Sequence, residues 1–440
     1  MIITAPSIVL HWSELAFERG VFMRFHILGL GPIGSLVAHH LRLVLPRGYP
    51  ITLIHKRKRL ANIVNVSQGT LRVENHGVVA TSSGYDSEVF DDAEALKGPT
   101  KSIREDLGLT INMLEREVHP MHKVNTLHKI ESLIITTKAH STLPAVQRLL
   151  PRLSADSTIV LLQNGLGIYD QLCQDVFRNP RSRPHFILAS NTHGAWQKAF
   201  TTVVHSGIGA IEFGIVPDPR ERDFEAGLRD LNISKPERRL RIDDIGQRTD
   251  DPDYEHYRSL RLTVAALSAM ESLHTRWTSI NNVQVAMRRK LVVNAVINPL
   301  TALMNCRNGD VFTTQGSRRI AKKICHEAAE AYTQELKAAT QNYLEDMGDP
   351  ENEGQVHIRR LPRLLEPHLL EDEVYRVAEL TKGNISSMLV DIRQGRQTEI
   401  DYLNGYLLQL GKAHGFTMNA NAMLIDLIRM RSAIPLDQML

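Results

Sequence analysis

The chain has 440 residues, and its 52 Lys+Arg against 49 Asp+Glu give a formal charge of +3. Hydrophobic residues make up 42% and charged residues 23%, which is typical of a soluble globular protein of two or three domains. The near-neutral charge argues against a general nucleic-acid binder, and three scattered cysteines exclude a disulfide framework or a cysteine-built zinc module. No apolar stretch reaches the roughly 20 residues of a membrane span. We therefore expect no nucleic acid, no membrane and no metal site.

Residues 1–24 are predicted to form an amino-terminal extension. Glu14 and Glu18 lie within it, and no clean apolar region typical of a secretory signal is present. A mitochondrial presequence should be rich in arginine and poor in acids, and this segment is neither. The sequence therefore favours the cytosol and leaves the mitochondrion as the alternative.

Short apolar runs alternate with helical segments in the first half. Strand-like runs occur at 25–28, 51–54, 133–137 and 158–162, and a helix-like segment around 144–150 separates the last two. This alternation predicts an α/β fold, with a Rossmann-type, doubly wound parallel sheet over residues 25–252. Charged, aperiodic stretches near 85–128 and 217–252 are predicted to be peripheral insertions or mobile loops.

The second half, residues 253–440, is predicted to be an all-helical domain because long helical patterns replace the strands. A polar interruption at 346–354 is predicted to be another loop. The candidate helices are 257–272, 283–298, 316–344, 374–393, 399–414 and 420–431.

A glycine-rich turn joins the first strand to the first helix. Gly29 permits a tight turn, Gly31 lets a pyrophosphate approach the backbone, and Gly34 permits close packing of helix on sheet. The amides and dipole at the helix start favour phosphates. The pattern predicts a dinucleotide site, with an ordinary glycine-rich turn as the alternative.

The end of the second strand indicates which dinucleotide binds. An NAD enzyme usually has an acidic residue there, whereas this chain has the basic run from His55 to Arg59. Arg57 in such a run favours the 2′-phosphate of NADP(H). The alternative is a solvated basic turn, which we favour for Lys58 and Arg59 individually.

Two further positions follow buried strands, where open α/β sheets bind ligands. Lys138 directly follows the strand-like run 133–137, and Asn164-Gly165 follows the run 158–162. Each alone is typical of a surface lysine or a turn. Their shared placement makes both candidate ligand contacts.

Lys290, Asn294 and Asn298 are spaced by four residues, so they lie on one face of a predicted helix. The residues between them are apolar, which suggests burial, although a solvent-facing stripe is the alternative. A partly desolvated lysine can protonate the oxygen of a ketone during hydride transfer. Glu399 is a candidate modulator of that lysine, and an exposed glutamate near a helix start is its alternative.

These motifs resemble the ketopantoate reductase (2-dehydropantoate 2-reductase) family, in a fungal-like form with insertions. The resemblance covers nearly the whole chain, though not continuously, and the two carboxy-terminal blocks are long and specific. The matching segments are 29–34, Lys138-Ala139, Asn164-Gly165, 191–195, 289–309 and 384–405.

The resemblance implies reduction of 2-dehydropantoate to (R)-pantoate by NADPH, a step toward pantothenate and coenzyme A. It implies that Lys290 is the general acid and that Glu399 lies near this lysine and the nicotinamide, with a catalytic and cofactor-binding role. The implied cofactor contacts are Gly29, Leu30, Gly31, Pro32, Ile33, Gly34, Arg57, Lys138, Asn164, Ala195 and Glu399. The implied substrate contacts are Asn164, Lys290, Asn294, Asn298, Asn308, Asn384 and Ser387.

One position departs from the family pattern: Asn191 occupies a place where a small or hydroxyl residue is expected, next to the cofactor pocket. His193, two residues on, is predicted to pack or orient its loop rather than to catalyse. The insertions leave the oligomeric state open, with a homodimer as the candidate. A reductase of another 2-oxo acid is the first alternative function. A non-catalytic NADPH sensor is the second, although sensing would need neither Lys290 nor Glu399.

Overall fold

Alternating buried strands and helices build the first half of the molecule, and helices alone build the second. The computed structural model describes residues 22–66, 69–89, 128–246, 251–347 and 360–434. Most of the predicted extension, residues 1–21, therefore lies outside the described residues.

The first half contains, in chain order, β1 (Phe25–Leu28), α1 (Pro32–Val44), β2 (Ile51–His55), α2 (Lys58–Val66), β3 (Leu71–Asn75), β4 (Val78–Ser82), β5 (Tyr85–Val89), β6 (Ser132–Ile135), α3 (Ala139–Leu149), β7 (Thr158–Leu161), α4 (Ile168–Asp175), β8 (His185–Asn191), β9 (Gly194–Ala199), β10 (Thr202–Gly207), β11 (Ile211–Ile215), α5 (Ala226–Arg229), α6 (Arg258–Ser268) and β12 (Thr275–Trp277). The second half contains α7 (Ile280–Met304), α8 (Gln315–Met347), α9 (Pro367–Leu380), α10 (Ser387–Arg393), α11 (Asn404–Ala413) and α12 (Asn419–Ala433).

Eight strands form one twisted sheet in the order β12-β11-β8-β7-β6-β1-β2-β5. The pairs from β8 to β5 are parallel, and β11 runs antiparallel to β8. Strands β1, β2, β6 and β7 are buried at every residue, as expected for strands covered by helices on both faces. From β1 the chain adds strands β2 and β5 on one side and strands β6, β7 and β8 on the other. The predicted Rossmann-type, doubly wound fold is therefore confirmed.

A second sheet, which the sequence pattern did not predict, covers helix α1. Its four strands have the order β4-β3-β10-β9 and pack against α1. His76 and Gly77 turn the β3–β4 hairpin with positive φ angles of 48° and 82°. Strand β4 is largely exposed, so its sequence lacks a clear alternation of apolar and polar residues.

The predicted insertions are less separate from the core than their composition suggests. Residues 85–89 form strand β5 and pair with β2, so the prediction of a loop from residue 85 was wrong at its start. Residues 90–127 and 247–250 lie outside the described residues. The stretch 217–246 is mostly irregular, as predicted, but Phe224 and Ile245 anchor it in the core under the sheet.

Helix α6 and strand β12 belong structurally to the sheet, although the sequence pattern assigned everything after residue 253 to the helical half. Tyr257, Leu260 and Leu267 are buried in the hydrophobic core that includes β1 and β2. Strand β12 pairs with β11 at the edge of the sheet. The predicted boundary ignored this packing, because a helical period does not reveal which core a helix joins. We propose that the two domains meet at the start of α7.

Helix α7 is the centre of the helical half. Its residues from Leu291 to Ala302 are almost all buried, and it packs against α8, α9, α10 and α12. It also packs against β8 and β11, so it joins the two halves. The predicted single helix over 374–393 is two helices, because residues 381–386 form a turn.

Within the ranges that the structure describes, no helix is both long and apolar enough to cross a membrane. The predicted loop at 346–354 begins where α8 ends at Met347, and the rest of it lies outside the described residues.

Candidate active site

The glycine-rich turn has the geometry that a bound pyrophosphate needs. Gly29 has a φ of +100°, and a Cβ there would lie 2.5 Å from the backbone nitrogen of Thr137. A Cβ on Gly34 would lie 2.0 Å from the carbonyl oxygen of Gly29, so helix α1 can approach the turn this closely only with glycine. Among the described residues, a Cβ on Gly31 would meet no atom within 4 Å. The two outer glycines serve packing, whereas the middle one faces open space.

The start of α1 leaves room for a phosphate at that open space. Gly31 is the N-cap and supplies no side chain to cap the helix, and the first turn, led by Pro32, contains no acidic residue. Leu30 and Ile33 pack against the core and fix the turn from behind. The unpaired amides and helix dipole fit a dinucleotide pyrophosphate.

The basic turn after β2 contains fewer cations than its sequence suggests. His55 is buried, and burial lowers its pKa to about 4, so it is neutral near pH 7. Lys56, Arg57, Lys58 and Arg59 are exposed. The prediction of five potential cations is therefore corrected to four, and Arg57 remains on the surface at the carboxyl end of β2.

Lys290 is carried by α7 but is held by the sheet domain. Its Nζ donates hydrogen bonds to Oδ1 of Asn164 at 2.8 Å and to the carbonyl oxygen of Asn191 at 2.5 Å. Asn164 follows β7 and Asn191 ends β8, so both acceptors lie at the carboxyl edge of the sheet. Burial lowers the pKa of Lys290 to about 8, and the Glu399 carboxylate opposes that shift.

Glu399 is buried, so the alternative of an exposed glutamate was wrong. Its Oε1 accepts a hydrogen bond from the backbone nitrogen of Ala139 at 3.0 Å, at the start of α3. Burial raises the pKa of Glu399, while the Ala139 hydrogen bond and the charge of Lys138 lower it. Lys138 itself forms an ion pair with Asp391 on α10, across the two domains.

A narrow cleft lies between the carboxyl edge of the sheet and the helical half. We call it the lysine cleft, because Lys290 donates a hydrogen bond to Asn164, which lines it. The predicted polar stripe therefore faces this cleft rather than bulk solvent. The lining residues are Asn164, Asn294, Asn298, Ser387, Met388, Asp391, Glu399 and Leu403.

Besides Lys290, two predicted substrate contacts lie outside that lining, namely Asn308 and Asn384. The side-chain nitrogen of Asn308 donates to Oγ1 of Thr381 at 2.9 Å, and its backbone nitrogen donates to the carbonyl oxygen of Asn384 at 3.0 Å. Asn384 is exposed in the turn before α10. Asn308 and Asn384 thus contact each other, and their contact with substrate stays a prediction. Ala195, a predicted cofactor contact, lies in β9 and packs on the sheet core.

Two groups at the site were missed by sequence reasoning. Asp391 is buried, and it pairs with Arg396 as well as Lys138. The sequence feature that could have identified Asp391 is an isolated carboxylate within the apolar run from Met388 to Ile392. The second group is the carbonyl oxygen of Asn191, which no side-chain pattern could identify.

His193 packs and orients its loop, as predicted. Its Nε2 lies 2.9 Å from the carbonyl oxygen of Leu273, so this nitrogen donates, and its Nδ1 accepts from the backbone nitrogen of Gly209 at 3.0 Å. Burial lowers the pKa of His193. The neutral ring therefore fixes the loop that follows Asn191.

The arrangement combines an open glycine turn with an ammonium poised to lose a proton near neutral pH. An ammonium has three N–H groups, and Asn164 and Asn191 accept two of them. The third is available to a ligand oxygen. Amide and hydroxyl groups of Asn294, Asn298 and Ser387 suit recognition of carboxylate and hydroxyl groups.

Family comparisons cover most of the chain. The model for "Ketopantoate reductase PanE/ApbA" matches residues 25–218, and that for "Ketopantoate reductase PanE/ApbA C terminal" matches residues 282–432. A relative from Schizosaccharomyces pombe, named probable 2-dehydropantoate 2-reductase, is 23% identical over 407 residues. The match covers 92% of this chain and 95% of the relative.

Solved structures share the fold. The probable 2-dehydropantoate 2-reductase of Bacillus subtilis has a TM-score of 0.57 at 22% identity, over 93% of this chain and 100% of that one. A ternary complex of D-mandelate dehydrogenase with NADH and anilino(oxo)acetate has a TM-score of 0.60 at 16% identity, over 93% and 98% of the two chains. From the two family models, which together match most of the chain, the chain belongs to the ketopantoate reductase family and is an oxidoreductase of the dinucleotide-binding type.

Proposed function

We propose that this enzyme reduces 2-dehydropantoate to (R)-pantoate with NADPH, and that Lys290 supplies the proton. The observation that carries this proposal is the Lys290 ammonium, held at 2.8 Å from Asn164 beside the lysine cleft with its pKa lowered to about 8. The match to the Schizosaccharomyces pombe relative over nearly the whole of both chains supports the choice of substrate. The product would serve pantothenate and coenzyme A synthesis.

The glycine turn and the basic turn would hold the cofactor. The amides at Gly31 and the start of α1 suit the pyrophosphate, and Arg57 suits the 2′-phosphate of the adenosine ribose. Leu30, Pro32 and Ile33 shape the turn, and Lys138, Ala195 and Glu399 are the further proposed contacts. When bound, NADPH supplies the hydride.

Lys290 would act on the substrate carbonyl oxygen. As the ketone carbon is reduced, negative charge develops on that oxygen, and an adjacent ammonium both stabilises the charge and transfers a proton to it. Asn164 and the carbonyl of Asn191 orient the ammonium by accepting its other two hydrogens. Glu399 keeps the lysine pKa from falling further, so the acid stays protonated near neutral pH.

The substrate would be recognised by the amide and hydroxyl groups around this lysine. Asn294, Asn298 and Ser387 line the lysine cleft, where they can bind the carboxylate and hydroxyl of 2-dehydropantoate. Asn308 and Asn384 are proposed to contribute from the neighbouring turn.

The direct test measures NADPH oxidation with 2-dehydropantoate and with simpler 2-oxo acids that lack its hydroxymethyl group. We expect the highest kcat/KM for 2-dehydropantoate and (R)-pantoate as the product. Equal or better kcat/KM on every simpler acid would identify a different 2-oxo acid reductase. Tight NADPH binding without oxidation in the presence of any 2-oxo acid would instead support the sensor.

Two expectations from the sequence stay predictions beside this function. A homodimer is expected, and light scattering of the full chain would give twice the chain mass. A cytosolic location is expected, and imaging of a carboxy-terminally tagged chain against a mitochondrial marker would test it.

A further inference from the structure

A cluster of two histidines and an aspartate lies at the edge of the sheet opposite the lysine cleft. His185 begins β8, Asp218 follows β11, and His256 precedes α6. Each residue offers one ligand atom, and these three atoms lie within 4.8 Å of one another. Asn191 ends β8 at the lysine cleft, so the length of this strand, about 20 Å, separates the two places.

The second ring nitrogen of each histidine is already fixed by an acceptor. Nε2 of His185 lies 3.1 Å from the carbonyl oxygen of His256, and Nδ1 of His256 lies 2.5 Å from Oδ1 of Asp156. A carbonyl or carboxylate can only accept, so both of these nitrogens carry the hydrogen. When the rings are neutral, Nδ1 of His185 and Nε2 of His256 are then the nitrogens that offer a lone pair. Metal-binding histidines are oriented by such acceptors in the same way.

Asp218 supplies an oxygen ligand whose position is also fixed. Its Oδ2 accepts from the hydroxyl of Tyr257 at 2.6 Å, and its Oδ1 accepts from the backbone nitrogen of Arg220 at 3.0 Å. Both oxygens keep further lone pairs for a cation. The carboxylate therefore has a stable orientation beside the two rings.

The cluster faces an open cavity, so an ion could reach it. His185, Asp218 and His256 all line this cavity, together with Arg181, Arg183 and Arg220. Two arginines close to the cluster are paired with carboxylates: Arg220 with Asp253 at 2.5 Å, and Arg222 with Asp251 at 2.8 Å. This pairing limits the repulsion that a bound cation would meet from Arg220 and Arg222.

We propose that His185, Asp218 and His256 bind a divalent transition-metal ion of the zinc type. Two imidazoles and one carboxylate suit zinc, and a water molecule would complete a tetrahedral set. Ligand atoms of a tetrahedral zinc site are roughly 3.3 Å apart, so donors that lie within 4.8 Å of one another need to close by at most about 1.5 Å. The expectation of no metal site rested on the scattered cysteines, whereas these ligands are histidines and an aspartate from three distant segments.

The bound ion would fasten the charged stretch that begins at residue 217 to the start of β8 and to α6. Because a ligand that binds only the folded state stabilises it, zinc should raise the melting temperature. The site lies at the opposite edge from Lys290, so metal removal should leave NADPH oxidation unchanged.

The test uses the full chain, freed of metal by a chelator and titrated with ZnCl₂ in competition with a fluorescent zinc indicator. We expect one tightly bound ion per chain and a rise in melting temperature of a few degrees. His256→Asn and Asp218→Asn should each lose this ion and this rise. His368→Asn is the matched control, because that histidine is exposed and remote from the cluster, and it should behave like the unaltered chain.

Unchanged zinc stoichiometry in His256→Asn, or no tight zinc in the unaltered chain, would overturn the proposal. Circular dichroism of the metal-free variants checks that they fold. X-ray absorption at the zinc edge of the unaltered chain does not depend on any variant: we expect two imidazole nitrogens with oxygen. A sulfur-containing or all-oxygen shell would overturn the proposal too.

Discussion

The glycine turn and the lysine cleft both lie at the carboxyl edge of the sheet but are built in different ways. The turn is one continuous segment, and its function rests on the backbone: Gly29 and Gly34 allow close packing, and Gly31 faces open space. The cleft is assembled from side chains of distant segments, with Lys290 on α7 held by Asn164 and Asn191 of the sheet. A change in the turn should therefore affect binding or folding, whereas a change in the cleft should affect turnover.

The largest effect is expected at the cleft. Lys290→Ala should reduce kcat by a factor on the order of 10²–10⁴, the usual contribution of a positioned acid, with NADPH binding intact. Steady-state kinetics and fluorescence titration with NADPH measure the two quantities. Arg289→Ala is the matched control, since Arg289 is the adjacent residue and pairs with Glu373, and it should keep near-normal turnover. Intact turnover in Lys290→Ala would remove the lysine from the mechanism.

Two glycine variants should separate binding from folding in the turn. The methyl group of Gly31→Ala would meet no atom in the part of the chain that the structure describes, so the free energy of unfolding should hardly change. In the phosphate space, however, it should weaken NADPH binding by roughly 10–100-fold. Gly34→Ala should lower the free energy of unfolding by about 1–3 kcal/mol, because its Cβ would overlap the carbonyl of Gly29. Urea unfolding and NADPH titration provide the measurements. If Gly31→Ala lowered the free energy of unfolding and Gly34→Ala did not, the space predicted beside Gly31 would be filled by the protein itself.

A smaller and selective effect is expected at the basic turn. Arg57→Ala should weaken NADPH by about tenfold, consistent with loss of an exposed charge-assisted contact, and should leave NADH nearly unchanged. Dissociation constants for the two dinucleotides test this prediction. Arg59→Ala, which removes an exposed cation from the same turn, is the control and should have little effect. Equal weakening of both dinucleotides by Arg57→Ala would contradict recognition of the 2′-phosphate.

The smallest effect concerns pH. The acid form of Lys290 predominates below its pKa of about 8, so kcat/KM should be level below that pH and should fall above it. Glu399→Gln removes the charge that raises the lysine pKa but keeps an oxygen for the Ala139 amide, so the fall should begin at lower pH. Profiles of kcat/KM against pH for both proteins measure the shift. A fall that began at higher pH in the variant would contradict this direction.

Much of the glycine turn could be predicted because its information is local. A strand, three glycines and a helix are adjacent in sequence, and the close packing of the turn requires the two outer glycines. Strand β5 and the second sheet were missed because β4 and β5 are short and partly exposed, so their alternation is weak. His55 was misjudged as a potential cation because sequence alone does not show that the last residue of β2 is buried.

The cleft could be predicted only in part. The spacing of Lys290, Asn294 and Asn298 identified one helix face, but whether that face met solvent or protein depends on long-range packing. Asp391 was overlooked because a single acid in an apolar run has no partner that the sequence reveals, and its partner Lys138 lies on the other domain. The placement of α6 on the sheet was missed for the same reason.

Lys290 is carried by one half of the molecule and takes its hydrogen bonds from the other. A hinge motion that widened the gap would pull the amine from Asn164 and Asn191, return it to water and restore its ordinary basicity. The lowered pKa of Lys290 therefore depends on contact between the two halves, and a wider gap would bring it back toward its ordinary value.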